Sequence, residues 1–145
     1  SIRLTLPPLS TIVIKPIQYI IVLIKIEFMN TFELNSRINR GESFIIASDG
    51  QFLGKLSLNR YDSDSISNNY GLYGSRYSAT SIKNRYSTYG SPYSSLSPFN
   101  AYTTTPPVIY LRGQRIGYLT VNRYMYGSVD PNQIDEWMKL NGLYY

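Results

Sequence analysis

Aromatic rings interleaved with cations are the residues of this chain whose types and spacing bear most directly on chemistry. Most of its 15 tyrosines fall in residues 61–126, and arginines recur among them. Tyrosine rings stack on bases or pack against sugar rings, while guanidinium groups engage phosphate and other oxyanions. The candidate binding surface is Arg60, Tyr61, Tyr73, Arg76, Tyr77, Arg85, Tyr86, Tyr89, Tyr93, Arg123 and Tyr124, with Arg115 as a further phosphate contact. Charge placement supports this choice. Within residues 51–127 the cations are Lys55, Arg60, Arg76, Lys83, Arg85, Arg112, Arg115 and Arg123, against Asp62 and Asp64 alone, and the whole chain carries +5. Such a field favours anionic partners without choosing among nucleic acid, anionic glycan and lipid headgroups.

Catalytic chemistry finds much less support. The chain has no His and no Cys, which removes thiolate nucleophiles, imidazole acid–base catalysis, the usual zinc ligand sets and disulfides. Absence of Cys leaves the compartment open. Two acidic groupings remain. The run Asp62-Ser-Asp64-Ser-Ile-Ser-Asn68 has oxygens spaced like a calcium loop but lacks its central Gly and closing Glu. Asp135 and Glu136 are adjacent on an expected helix and therefore diverge, so a solvated face explains them better than an acid–base pair. The expectation is a non-catalytic chain without cofactor or metal.

The tyrosines belong to a repeat. Residues 61–108 divide into three copies of a sixteen-residue unit, YDSDSISNNYGLYGSR, YSATSIKNRYSTYGSP and YSSLSPFNAYTTTPPV, the last losing its Tyr-Gly-Ser ending. Tyr61, Tyr77 and Tyr93 align, as do Tyr70, Tyr86 and Tyr102. Ser65, Ser81 and Ser97, with Asn68, Asn84 and Asn100, read as turn-locking residues that bond local backbone groups. Ile66, Ile82 and Pro98 would point inward once per unit. A structureless loop of this length is unusual in a compact domain, so ordered turns wrapped on neighbouring strands are expected.

Those strands flank the repeat. IIASDGQFLGKLSLNRY at residues 45–61 aligns with VIYLRGQRIGYLTVNRY at 108–124, pairing Gly50 with Gly113, Gly54 with Gly117 and Leu56 with Leu119, and ending both times in Asn-Arg-Tyr. This reads as an internal duplication of a β-hairpin. Asp49-Gly50 suits a tight primed turn, and Gly54 and Gly117 mark bulges or places where another backbone or ring packs closely. Asp130-Pro131 then gives a helix start, Ile134, Trp137, Met138 and Leu143 an apolar stripe, and Gly142 a stop, so a helix is expected at 131–141 with Trp137 as a core anchor. Residues 11–28 are rich in Ile and Val and contain Pro16, Lys15, Lys25 and Glu27. A strand or extended arm is the expectation there, since the charges argue against a membrane span and no small-residue cleavage site follows.

The strings YGSRYSATSIKNRY, YGSPYSSLSPFNAYTTTPPVIY and LRGQRIGYLTVNRY resemble a group of small bacterial proteins, many of them cyanobacterial. That group carries Tyr-Gly-Ser-Pro-Tyr-Ser repeats between strand pairs of the Gly-x-Leu-Ser/Thr-x-Asn type and has no established function. The resemblance covers residues 30–139 and implies the strand–repeat–strand arrangement but no activity. Export, which signal peptides imply for some of the group, is not carried over, because residues 1–28 do not read as a signal. Arg76 stands where the next copy has Pro92, making the first unit more basic.

The expected architecture is mainly β, in the α+β class: two duplicated β-hairpins at 43–58 and 108–121 flank an ordered Tyr/Gly/Ser repeat segment at 61–108, and one C-terminal helix follows. Residues 29–145 form a single domain and residues 1–28 an extension, strand or arm. Met29 is the first methionine; a chain starting there would be cytoplasmic, whereas the preceding residues leave export or membrane association open. The expected role is a structural or binding module for anionic polymers, nucleic acid or glycan, through the Tyr/Arg surface. The competing roles are a self-associating, homo-oligomeric or glycan-binding surface protein and a single-stranded nucleic-acid binder.

Overall fold

Phe44, Ile45 and Ile46 combine aromatic and β-branched side chains, suited to a pleated surface covered on both sides, and they form the centre of the fold. In a computed structural model, which describes residues 16–145, this segment is strand β1 (Phe44–Ile46). It pairs antiparallel with β2 (Phe52–Lys55) on one side and β3 (Val108–Leu111) on the other. Strand β4 (Gln114–Leu119) pairs antiparallel with β3, and the short β5 (Ser128–Val129) joins β4 in parallel. The result is a five-stranded sheet in the order β2-β1-β3-β4-β5, within the expected α+β class.

Both expected segments pair antiparallel, but their turns differ. The primed turn expected at Asp49-Gly50 is not formed. The chain closes instead over three residues, with the Gly50 N–H donating to the Ala47 carbonyl at 2.9 Å and the Ala47 N–H to the Gln51 carbonyl at 2.8 Å. Asp49 keeps negative φ because its carboxylate accepts the Gln51 N–H at 3.0 Å, leaving the positive φ of 92° to Gly50. The two-residue turn with both φ positive lies in the other hairpin, at Arg112 (49°) and Gly113 (82°).

Gly54 and Gly117 mark close approaches, as their positions in the strands implied. A Cβ on Gly54 would stand 2.7 Å from side-chain carbons of both Ile66 and Tyr73, and one on Gly117 would stand 2.1 Å from the Gly127 carbonyl oxygen. Glycine is therefore what lets the repeat lie flat on β2 and the 127–129 segment lie flat on β4.

Ile45 and Ile109 face each other across β1 and β3, and both are fully buried. They join Leu53, Leu56, Leu119, Ile66, Ile82, Ile134, Met138 and Leu143 in one core shared by sheet, repeat and C-terminal helix. Their neighbours Phe44 and Tyr110 are also paired, and by strand alternation they occupy the opposite face. There the two rings stack at 4.8 Å, Phe52 sits 6.0 Å from Phe44, and Tyr73 meets Phe52 edge-on at 4.9 Å.

The C-terminal helix forms where its cap and stripe place it, with a tighter first turn. Asp130 accepts the Asn132 N–H at 2.9 Å, Pro131–Gln133 is 3₁₀, and α2 (Ile134–Leu140) continues to Gly142, whose φ is 69°. Ile134 and Met138 are buried and Trp137 packs at the core margin.

The N-terminal expectation is overturned where it is described. Residues 16–39 form a helix, α1 (Pro16–Asn39), rather than a strand or arm, and α1 runs unbroken through Met29; residues 1–15 lie outside the described residues. The physical reason is that Ile and Val reduce helix propensity by only a few tenths of a kcal/mol, and with no strand alongside among the described residues a helix satisfies the backbone internally. No helix among the described residues is long and apolar enough to cross a membrane. The end of α1 docks on the sheet through Arg37. Arg37 is buried, lies 3.8 Å from the Phe52 ring centroid, and pairs with Glu42, with Glu33 at 3.1 Å and with Asp64 at 3.5 Å.

Candidate functional site

The repeat is a run of linked turns with a spacing of three. Asp62, Ser65 and Asn68 in the first unit, Ser78, Ser81 and Asn84 in the second, and Ser94, Ser97 and Asn100 in the third each accept, through a side-chain oxygen, the N–H two residues on. Each also begins a backbone turn closed by the N–H three residues on, for example Ser81 to Ser78 at 3.3 Å and Asn84 to Ser81 at 3.2 Å, with the asparagine turns closed by Gly71, Ser87 and Thr103. Within a unit each turn starts where the last one ends, and four-residue steps, Ser75 to Gly71 and Ser91 to Ser87, lead into the next. The three asparagines also reach back six residues, donating Nδ2–H to the carbonyls of Asp62, Ser78 and Ser94 at 3.2, 3.0 and 3.1 Å. Ser65, Ser81, Ser97 and Ile66, Ile82, Pro98 are all buried, matching their expected roles.

The outward tyrosines share one backbone contact. Tyr61, Tyr70, Tyr77, Tyr86, Tyr93, Tyr102 and Tyr124 each donate the backbone N–H to the Asn or Ser two positions earlier, at corners whose side chains face solvent. All seven are at least 91% exposed. Tyr73 and Tyr89 stand five residues after Asn68 and Asn84 and turn the other way, packing on the core margin. Burial, with Asp64 nearby, pushes the Tyr73 phenol above its ordinary pKa, and the Tyr89 hydroxyl donates to Asp49 at 2.8 Å. The two were expected at the binding surface; they tie the repeat to the first hairpin instead. Tyr70 and Tyr102 are outward rings that the expected surface omitted. Their signal was in the sequence, as Ser, Asn or Asp at every third position with Tyr two residues behind.

The cations divide by partner. Asp62 and Asp64, the acids of the middle region, are occupied by Lys55 at 2.9 Å and by Arg37. The Asp64 N–H, and then Lys55, hold the Asp62 carboxyl below its ordinary range. The run from Asp62 to Asn68, weighed as a calcium loop, thus spends its oxygens on turns and ion pairs, and no acidic cluster of metal-binding type occurs among the described residues. Arg60, Arg76 and Arg123 are exposed and make no ion pair among the described residues. Arg85 lies flat on Phe99 of the next unit, 3.7 Å from its ring centroid, and Arg115 donates to the Tyr118 hydroxyl at 3.0 Å. Among the expected residues, Tyr61, Tyr77, Tyr86, Tyr93, Tyr124, Arg60, Arg76, Arg85 and Arg123 are exposed.

A cleft lies beside this surface, lined by Arg60, Ser67, Asn69 and Lys83 from the repeat side and by Asp135, Lys139 and Tyr144 from α2 and the C-terminal tail, with Leu58 between them. Burial lowers the pKa of Lys83 below its ordinary value, Asp135 opposes the shift, and Arg76 and Arg60 add to it. Asp135 and Glu136 do diverge: Asp135 lines the cleft while Glu136 pairs with Lys139 at 3.3 Å.

The sheet margins offer little to a second copy. The first unit covers β2 through the Lys55 N–H, which donates to the Asp64 carbonyl at 2.7 Å, and β5 is only two residues long. No protein-family model matches the chain, and no curated protein or solved structure matches it either.

Proposed function

We propose that this chain is a non-catalytic module that holds an anionic polymer along the turn repeat. The observation that carries the reading is the coincidence of seven outward tyrosine rings with arginines whose carboxylate neighbours are already taken. The rings supply flat apolar faces, each worth about 1–3 kcal/mol when a base stacks on it. The arginines Arg60, Arg76 and Arg123 supply charge that no internal partner neutralises. The turn network holds the backbone of the repeat, so less loop ordering is left for binding to impose.

Retention on immobilised heparin and on single-stranded oligonucleotide, followed through a salt series, tests this. The expected result is retention on at least one matrix whose logarithm falls linearly with log salt. Neutralising Arg60, Arg76 and Arg123 with glutamine should reduce that slope by about one per contact. Replacing Tyr77 and Tyr86 with alanine should weaken binding without changing the slope. Elution from both matrices at low salt refutes the proposal.

A further inference from the structure

Resting on the polymer-binding reading, we infer that the cleft between the repeat and α2 seats one tetrahedral oxyanion of that polymer, a phosphate or a sulfate group. Four side chains with N–H or O–H groups, Arg60, Asn69, Lys83 and Tyr144, line it, and none makes a side-chain hydrogen bond or ion pair among the described residues. Arg60, Asn69 and Tyr144 are exposed at the cleft mouth and Lys83 is half-buried; water serves a half-buried ammonium poorly. Lys83 is that ammonium. It sits at the turn corner occupied by Ser67 one unit earlier and Phe99 one unit later, with its N–H held by the Ser81 hydroxyl at 3.1 Å. That bond holds the backbone of this corner, and the Lys83 side chain lines the cleft from it.

Two features select an anion. Lys139 balances Glu136, so the remaining charges are Arg60 and Lys83 against Asp135. Asp135 makes no ion pair with Lys83 among the described residues, although its charge acts on Lys83 across the cleft. A bound oxyanion would satisfy Lys83, Arg60 and Asn69 while repelling Asp135. Asp135 is therefore a negative element that weakens the seat, and a purely structural role for the cleft has no reason to be relieved by its removal.

The test titrates the intact protein at constant ionic strength with inorganic pyrophosphate and, separately, with sodium sulfate, following the backbone amide NMR signals of residues 69 and 83, which every variant below retains. The expected result is a saturable shift at these amides with one or both probes, lost at least about tenfold in Lys83→Met and Arg60→Gln and tightened several-fold in Asp135→Asn. A linear, non-saturating drift, or weaker binding in Asp135→Asn, overturns the inference. Tyr86→Ala should leave the pyrophosphate response unchanged. Short heparin fragments and oligothymidylate then identify the source, since only the polymer whose oxyanion fits should compete with the small probe. Polymer retention without a saturable response at these amides removes the cleft and keeps the repeat surface; saturable pyrophosphate binding without polymer retention does the reverse.

Discussion

Asn84 is the residue on which the account of the repeat is most exposed to test. Its Oδ1 accepts the Tyr86 N–H at 3.0 Å, and its Nδ2–H donates to the Ser78 carbonyl at 3.0 Å. One side chain therefore fixes its own turn and the turn two steps back. At about 1 kcal/mol net for each bond, Asn84→Ala should cost about 2 kcal/mol, or about 8 °C in Tm for a domain of this size. Asn84→Asp separates the two halves. It keeps the acceptor for Tyr86 but turns a carboxylate oxygen toward the Ser78 carbonyl, so at neutral pH it should lose at least about 1 kcal/mol. Protonation restores a donor. The introduced carboxyl should therefore have a raised folded-state pKa, and the deficit of Asn84→Asp relative to wild type should shrink as pH falls through it. Urea unfolding at several pH values measures each step. Tyr86→Ala, whose ring is 99% exposed, is the control and should stay within about 0.5 kcal/mol of wild type. If Asn84→Ala also stays within that range, or if Asn84→Asp equals wild type at pH 7, the linked turns are not what holds the repeat.

Three further expectations follow from the same contacts. Gly90→Ala would place a Cβ 2.0 Å from the Asn84 carbonyl oxygen, a backbone atom that cannot step aside, and should cost about 1–3 kcal/mol or more in denaturant unfolding. Ile82→Ala empties a side chain only 2% exposed and should cost about 2–5 kcal/mol, read by the same assay. Asp62 has its folded pKa lowered first by the Asp64 N–H and then by Lys55, so its stabilisation is complete above the unfolded value near pH 4 and is lost as pH falls through the folded value. Asp62→Asn keeps the turn acceptor but not the Lys55 pair. It should be less stable than wild type at pH 7 and converge with it in acid, and a constant gap across pH would contradict the assignment.

What could be read from residue order alone was the chemistry that acts over a few residues. Ser65, Asn68 and their counterparts bond backbone two to six positions away, so their turn roles were visible, as was the Asp130-Pro131 cap. Ile66, Ile82 and Pro98 stood out as the apolar position of each unit. Helix α1 was missed because strand and helix differ little in propensity for Ile and Val, and the deciding fact, the absence of a neighbouring strand, is not local. Tyr73 and Tyr89 were grouped with the outward rings because composition does not distinguish them; their phase relative to Asn68 and Asn84 does. The cleft could not be foreseen, since Asp135 and Tyr144 meet Lys83 only through the packing of α2 on the core.

Each sixteen-residue unit ends in register with the next: Gly74 leads to Ser75 as Gly90 leads to Ser91, and both serines open the next set of turns by accepting the N–H of Tyr77 and Tyr93. Length in this region is thereby quantised. Excising residues 75–90 would join Gly74 directly to Ser91 and keep every turn in phase, whereas removing fifteen or seventeen residues would turn outward rings inward and buried serines outward. A chain built this way lengthens or shortens its outward tyrosine row by whole increments, one Tyr77-type ring and one Tyr86-type ring at a time, while the sheet that anchors both ends stays the same.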